Sequence, residues 1–225
     1  MKKSLSLTLL VIAGLMLFSI ASCGGSEYSY EDEGSIKEPY TGETSVEEIT
    51  PVVSFKPFPV YTDARSPDNH YIASGYMGDY TDIKIDAAWF DNPHSGTTSI
   101  KIVYANTASQ GARWAGIYWL NPANNWGDRK GGFDLTGAQK LTFWARGEAG
   151  DERIEEFKIG DIKGVYSDSD AAGIGPVILT KEWKQYEIDL RGRDLNYISG
   201  GFAWATNLDV NPNGATFYLD DIRYE

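Results

Sequence analysis

The 225-residue chain carries 32 acidic against 20 basic residues, a formal charge of −12 at pH 7, and 13% of its residues are aromatic. That charge argues against DNA, RNA and strongly sulfated glycans as the main ligand, because a negative protein field repels polyanions. A single cysteine excludes an internal disulfide.

The chain opens with Lys2 and Lys3, an almost wholly apolar run from Leu5 to Ile20, and then small residues. The run is too short and wrongly flanked for a stable spanning helix, and it reads as a secretory signal peptide over residues 1–22. Its removal takes away two lysines and no acid, which carries the charge from −12 to −14. Ile20-Ala21-Ser22-Cys23, followed by Gly24-Gly25, resembles the lipobox of bacterial lipoproteins, in which the cysteine is lipidated and becomes the first residue. The resemblance implies lipidation at Cys23 and a lipid anchor at a membrane. Residues 23–54 are rich in Gly, Ser, Thr and Glu and poor in aliphatics, too polar to order themselves, and read as a flexible acidic tether. Glu27, Glu31, Asp32 and Glu33 resemble the acidic export signals of surface lipoproteins in Bacteroidota. An outer-membrane lipoprotein of the cell envelope is implied, and surface exposure stays open beside a plain solvated linker.

From residue 55 to 225 the texture changes to short alternating runs separated by Gly, Asn, Asp and Pro. The expected strands are 60–63, 83–87, 98–104, 114–120, 140–146, 153–159, 177–179, 184–190, 201–205 and 216–224. The Gly-rich stretch SGYMGDY at 74–80 reads as a loop. No window of helical length shows a 3.6-residue period, so the class is all-β, a sandwich or barrel built on one core.

Strand parity sorts the side chains. In KLTFWARG, Leu141, Phe143 and Ala145 share a core face, while Thr142, Trp144 and Arg146 share the other. An indole beside a guanidinium suits a sugar-binding surface, where a ring stacks and a donor fixes hydroxyls; an arginine lying over a half-buried tryptophan is the structural alternative. Along 114–120, Ala115, Ile117 and Trp119 read as core, and Trp114 and Tyr118 as the opposite face. Trp126 sits in the polar loop NPANNWG, where it could fold over the rim of that face. Phe157 and Ile159 point inward, leaving Lys158 as a second hydroxyl donor; Phe202 and Trp204 are core, with Ala203 and Ala205 as a floor open to a ligand. Trp89 and Trp183 read as structural.

The closing run GATFYLDDI (214–222), the aromatic strand 114–119, DLTGAQKLTFWARGE (134–148), FKIG (157–160), LTKEWKQYEIDL (179–190) and the GGFAW run near 200–204 resemble, in that order, carbohydrate-binding modules with a β-jelly-roll, galactose-binding-like fold. The resemblance spans about residues 58–225 and implies a β-sandwich jelly roll that binds a polysaccharide or oligosaccharide. It also implies a structural Ca2+ where the first and last strands meet, held by Asp220 near Asp63. Asp220 and Asp221 are neighbours on a strand and should point to opposite faces, so they could not chelate together. A carboxylate accepting backbone hydrogen bonds at a sheet edge is the alternative for Asp220.

Enzymatic motifs are missing. The densest acidic cluster, Glu152, Glu155 and Glu156, lacks the E-x-D-x-x-E run of jelly-roll glucanases, and His70 and His94 both sit in turn-like sequence. No catalytic residue is assigned. The expected function is a lipid-anchored, non-catalytic glycan-binding protein using Trp114, Tyr118, Trp126, Trp144, Arg146 and Lys158. The alternatives are a structural or assembly protein that turns its aromatic face toward other envelope proteins, and a polysaccharide lyase or glycoside hydrolase.

Overall fold

A computed structural model describes residues 54–225, so the expected signal peptide, the expected lipidation at Cys23 and all but the last residue of the expected tether lie outside the described residues. Thirteen strands form: β1 (Phe58–Tyr61), β2 (Ile72–Gly78), β3 (Ile83–Trp89), β4 (Ser99–Tyr104), β5 (Trp114–Leu120), β6 (Lys140–Gly147), β7 (Arg153–Ile154), β8 (Glu156–Gly160), β9 (Ala171–Ile174), β10 (Val177–Ile178), β11 (Lys184–Asp189), β12 (Gly200–Asn207) and β13 (Ala215–Tyr224). One sheet runs β11-β6-β13-β4-β3, with β1 laid along the C-terminal part of β13 that β4 leaves unpaired. The other runs β2-β5-β12-β8-β9, and β7 with β10 makes a short two-stranded ribbon. The result is the antiparallel β-sandwich that the alternating sequence predicts.

The core is where the two inner faces meet. Leu141, Phe143 and Ala145 of β6, Ala115, Ile117 and Trp119 of β5, Phe157 and Ile159 of β8, Phe202 and Trp204 of β12, and Phe217 and Leu219 of β13 all belong to one buried cluster. Aromatic rings clasp the sheets together across it. Phe143 of the six-stranded sheet lies 4.7 Å from Phe157 and 5.1 Å from Phe202 of the five-stranded one, and Trp204 meets Phe217 edge-on at 5.0 Å. Such pairs add about 0.5–1.5 kcal/mol beyond the area they bury.

Two strands were not expected, β2 and β9, and both lie at edges of the five-stranded sheet. Their sequences, IASGYMG and AAGI, lack the β-branched and aromatic density that marks a strand. Close approach explains the glycines. A Cβ at Gly75 would fall 2.8 Å from both Leu120 and Tyr118 and 3.1 Å from Trp126, and one at Gly173 would fall 2.9 Å from the Phe157 carbonyl. The expected strand 153–159 breaks into β7 and β8, as Ile154 pairs with β10 while Phe157 pairs with β12 and β9.

Candidate functional site

Parity along β5 turns Trp114, Gly116, Tyr118 and Leu120 away from the core. Cross-strand register then builds a surface on the outer face of the five-stranded sheet. One row reads Gly75, Tyr118, Ala203, Lys158, Gly173, and the next reads Met77, Gly116, Ala205, Glu156. Small residues therefore line the middle of the sheet, and larger groups stand around them. Trp114 is 40% exposed at one end of β5. Beyond the other end, the loop after Leu120 brings Trp126 back over the sheet, edge-on to Tyr118 at 5.8 Å and 42% exposed. The ring folds over the sheet face, but Tyr118, 4% exposed, and Ala203, 1% exposed, lie buried in a cluster with Ile162, so the expected stacking face of Tyr118 and the expected open floor at Ala203 are covered. The loop carrying Ile162 packs on Tyr118, Leu120 and Ala203, and Asp168 ties it to β12 by accepting the Ser199 and Gly200 N–H groups.

The polar groups of this face are held in place. The Tyr118 hydroxyl donates to the Gly160 carbonyl at 3.1 Å, and burial raises its pKa, so it stays a neutral phenol. Lys158 lies between Asp161 (3.2 Å) and Glu156 (3.4 Å), with its ammonium 5.5 Å from the centre of the Tyr118 ring. Burial works against its charge, yet the Tyr118 hydroxyl and the two carboxylates outweigh burial and raise its pKa above the ordinary lysine value. Lys158 is thus a cation held in place by its partners.

Trp144 and Arg146 do not join this surface. They alternate with Leu141, Phe143 and Ala145 on β6 and point outward from the six-stranded sheet, on the far side of the core from Tyr118. Trp144 stacks on His94 with ring centres 3.7 Å apart. Arg146 lies over the Tyr218 ring at 3.7 Å and near Trp183 at 5.3 Å. The six residues expected at one site fall into two sets on opposite outer faces, because parity fixes a side within a sheet but does not say to which sheet a strand belongs. Trp89 and Trp183, read as structural, are half-buried at the same outer face as Trp144; the Trp183 indole donates to the Asn92 carbonyl at 3.0 Å.

Asp220 and Asp221 depart from strand alternation. A bulge interrupts β13 between Asp220 and Arg223, and Asp221 adopts φ 47°, which sends both carboxylates to the same loop. Asp220 accepts the N–H groups of His94 (2.9 Å) and Ser95 (3.3 Å), while Asp221 accepts the His94 ring at 2.8 Å and the Ser95 hydroxyl at 2.7 Å. His94, read as a turn residue, was not foreseen here; nothing in NPHSG says which strand the turn will fold against.

The residues do not fit the implied calcium. One Asp63 oxygen takes four donors, the N–H and hydroxyl of both Thr97 and Thr98, and Asp220 is occupied as above. A calcium cage offers oxygens to a cation, whereas these carboxylates face hydrogen-bond donors. Among the described residues no group of three or more His, Cys, Asp or Glu could hold a metal ion. The glutamate cluster is likewise committed: Glu152 accepts the N–H groups of Ala149, Gly150 and Asp151, Glu155 pairs with Arg153 at 2.8 Å, and Glu156 with Lys158. A depression lined by Asn106, Asp151, Asn211 and Asn213 lies among loops and holds neither of the exposed indoles.

No family model and no curated protein matches the sequence. Among solved structures, the chain is similar to a family 30 carbohydrate-binding module at a TM-score of 0.50, with 14% identity over 75% of this chain and 87% of that one. The chain shares the β-sandwich fold of that module. Weaker likenesses are the family 30 module of a cellulosomal cellulase of Clostridium thermocellum (TM-score 0.46, 13% identity, 76% and 97% covered) and a xylan-binding domain of Paenibacillus barcinonensis (TM-score 0.39, 10% identity, 76% and 92% covered). At such identities the likeness speaks for the module fold; the ligand has to be argued from the side chains.

Proposed function

We propose that this protein is a non-catalytic glycan-binding lipoprotein, anchored through Cys23 at the cell envelope, that holds a neutral polysaccharide on the outer face of its five-stranded sheet. The observation that carries the reading is the pair of exposed indoles, Trp114 at the start of β5 and Trp126 over Tyr118, on one outer face with the half-buried Ala205 and Lys158. Tyr118 lies four residues along β5 from Trp114, a span of roughly 13 Å, the length of a short oligosaccharide. Indoles stack on the apolar faces of sugar rings, and Lys158 supplies a donor to hydroxyls. The module fold supports the same reading. Few contacts and an open surface point to dissociation constants on the order of micromolar to millimolar.

The test is affinity electrophoresis of residues 23–225 carrying Cys23→Ser through gels of neutral plant and microbial polysaccharides. Retardation by at least one polymer is expected, with W114A and W126A each weakening it by about tenfold and W144A leaving it unchanged. Absence of retardation by every neutral polymer, together with a stable protein complex in pull-downs from envelope extracts, would replace this reading by the assembly role.

A further inference from the structure

The outer face of the six-stranded sheet carries a row of alternating rings and cations. Register places Lys101 of β4, Tyr218 of β13 and Arg146 of β6 side by side. The Lys101 ammonium sits 3.9 Å from the Trp89 ring and 5.6 Å from Tyr218, and the Arg146 guanidinium 3.7 Å from Tyr218 and 5.3 Å from Trp183. The order is Trp89, Lys101, Tyr218, Arg146, Trp183, with Phe90 stacked beside Trp89 and 78% exposed.

What sets these cations apart is what they lack. Among the described residues, Lys101, Lys140, Arg146, Arg153, Lys158 and Arg223 are the half-buried basic side chains. Four of them have carboxylate partners: Lys140 with Glu187 and Glu225, Arg153 with Glu155, Lys158 with Glu156 and Asp161, and Arg223 with Glu225. Lys101 and Arg146 have none in a chain with twelve more acids than bases, and the buried Nε of Arg146 has no acceptor at all among the described residues. Acids are near enough in sequence to have been used: Asp86 is the register partner of Lys101, and Glu148 instead accepts the Tyr218 hydroxyl at 2.7 Å. Rings hold the two cations in place without neutralising them, and a guanidinium fixed flat on a ring keeps its edge for a planar anion.

We infer that this face is a second binding surface, separate from the neutral-glycan face, and that its ligand is a carboxylate-bearing sugar, a uronate unit of an oligosaccharide. The carboxylate pairs with Arg146 and Lys101, and the sugar ring lies against the neighbouring indoles of Trp183 or Trp144. A sparsely charged uronate chain tolerates the acidic domain better than a polysulfate, since at physiological salt repulsion fades beyond about 8 Å.

The inference does not depend on the neutral-glycan reading, and the test separates the two. Trigalacturonate and a mannuronate trimer are titrated by calorimetry into residues 23–225 carrying Cys23→Ser, beside R146Q, K101M and W114A, with thermal melts to confirm folding. At least one uronate trimer is expected to bind, tenfold or more weakly to R146Q and several-fold more weakly to K101M, with W114A unchanged and affinity falling as salt is raised. If R146Q does not fold, K101M carries the same comparison. Failure of both trimers to bind, binding that both charge variants leave intact, or binding lost in W114A would each overturn the second surface; the last would move uronate recognition to the neutral-glycan face.

Discussion

Asp220 is fully buried and takes hydrogen bonds from two backbone N–H groups of the 94–95 turn and one from Asp221. Burial pushes its pKa up to about 7, the N–H donors pull the other way, and the charge of Asp221 adds to the rise. An unfolded chain would release this proton near 3.8. Below about pH 4 the group is protonated in both states; between there and 7 only the fold keeps the proton, so stability falls as pH rises and then levels. Asp63, Asp82 and Asp170 are shifted downward, so their contributions are lost only at more acid pH. Denaturant melts at pH 5 and pH 8 should show the wild type less stable at pH 8 by a few kcal/mol. D220N should reduce that gap, and a gap of equal size in the variant would assign it to another group. The pair Asp220-Asp221 also shows where residue-level reading stops. Alternation separates neighbours on a regular strand, but one residue at positive φ makes a bulge that sends both to one side.

At the scale of elements, the strand that completes the outer face carrying Trp114 and Trp126 is the one its sequence hides. Gly75 gives β2 its loop-like appearance, and the same missing side chain lets Tyr118, Leu120 and Trp126 crowd against it. G75V should cost about 1–3 kcal/mol by overpacking and displace the Trp126 ring, seen as a shift in tryptophan emission and weaker retardation by neutral glycan. A variant with unchanged stability and emission would mean that β2 does not press on these rings. β6 shows the reverse case. Its alternation was fully legible, with Leu141, Phe143 and Ala145 wholly buried. Its sheet was not, since β6 ends at Gly147 and acquires its neighbours β11 and β13 from segments that begin at Lys184 and Ala215.

At the scale of the molecule, Phe202 reaches Trp119, Phe143 and Phe157 within 5.1 to 5.9 Å and so belongs to both sheets' packing. F202A should cost about 3–5 kcal/mol, measured by denaturant unfolding; a loss below about 1 kcal/mol would show that the rings around it close the gap. The same sandwich that buries these rings places two other sets of rings on its opposite outer faces, one with the exposed Trp114 and Trp126 and one interleaved with cations. The sequence by itself determined the all-β class, the core residues of each long strand and the outward direction of Trp114, Tyr118, Trp144, Arg146 and Lys158, because period-two alternation is a local property of the chain. Which outward residues share a surface was decided only by the tertiary structure, because strand pairing joins segments far apart in sequence and assigns each to one sheet or the other.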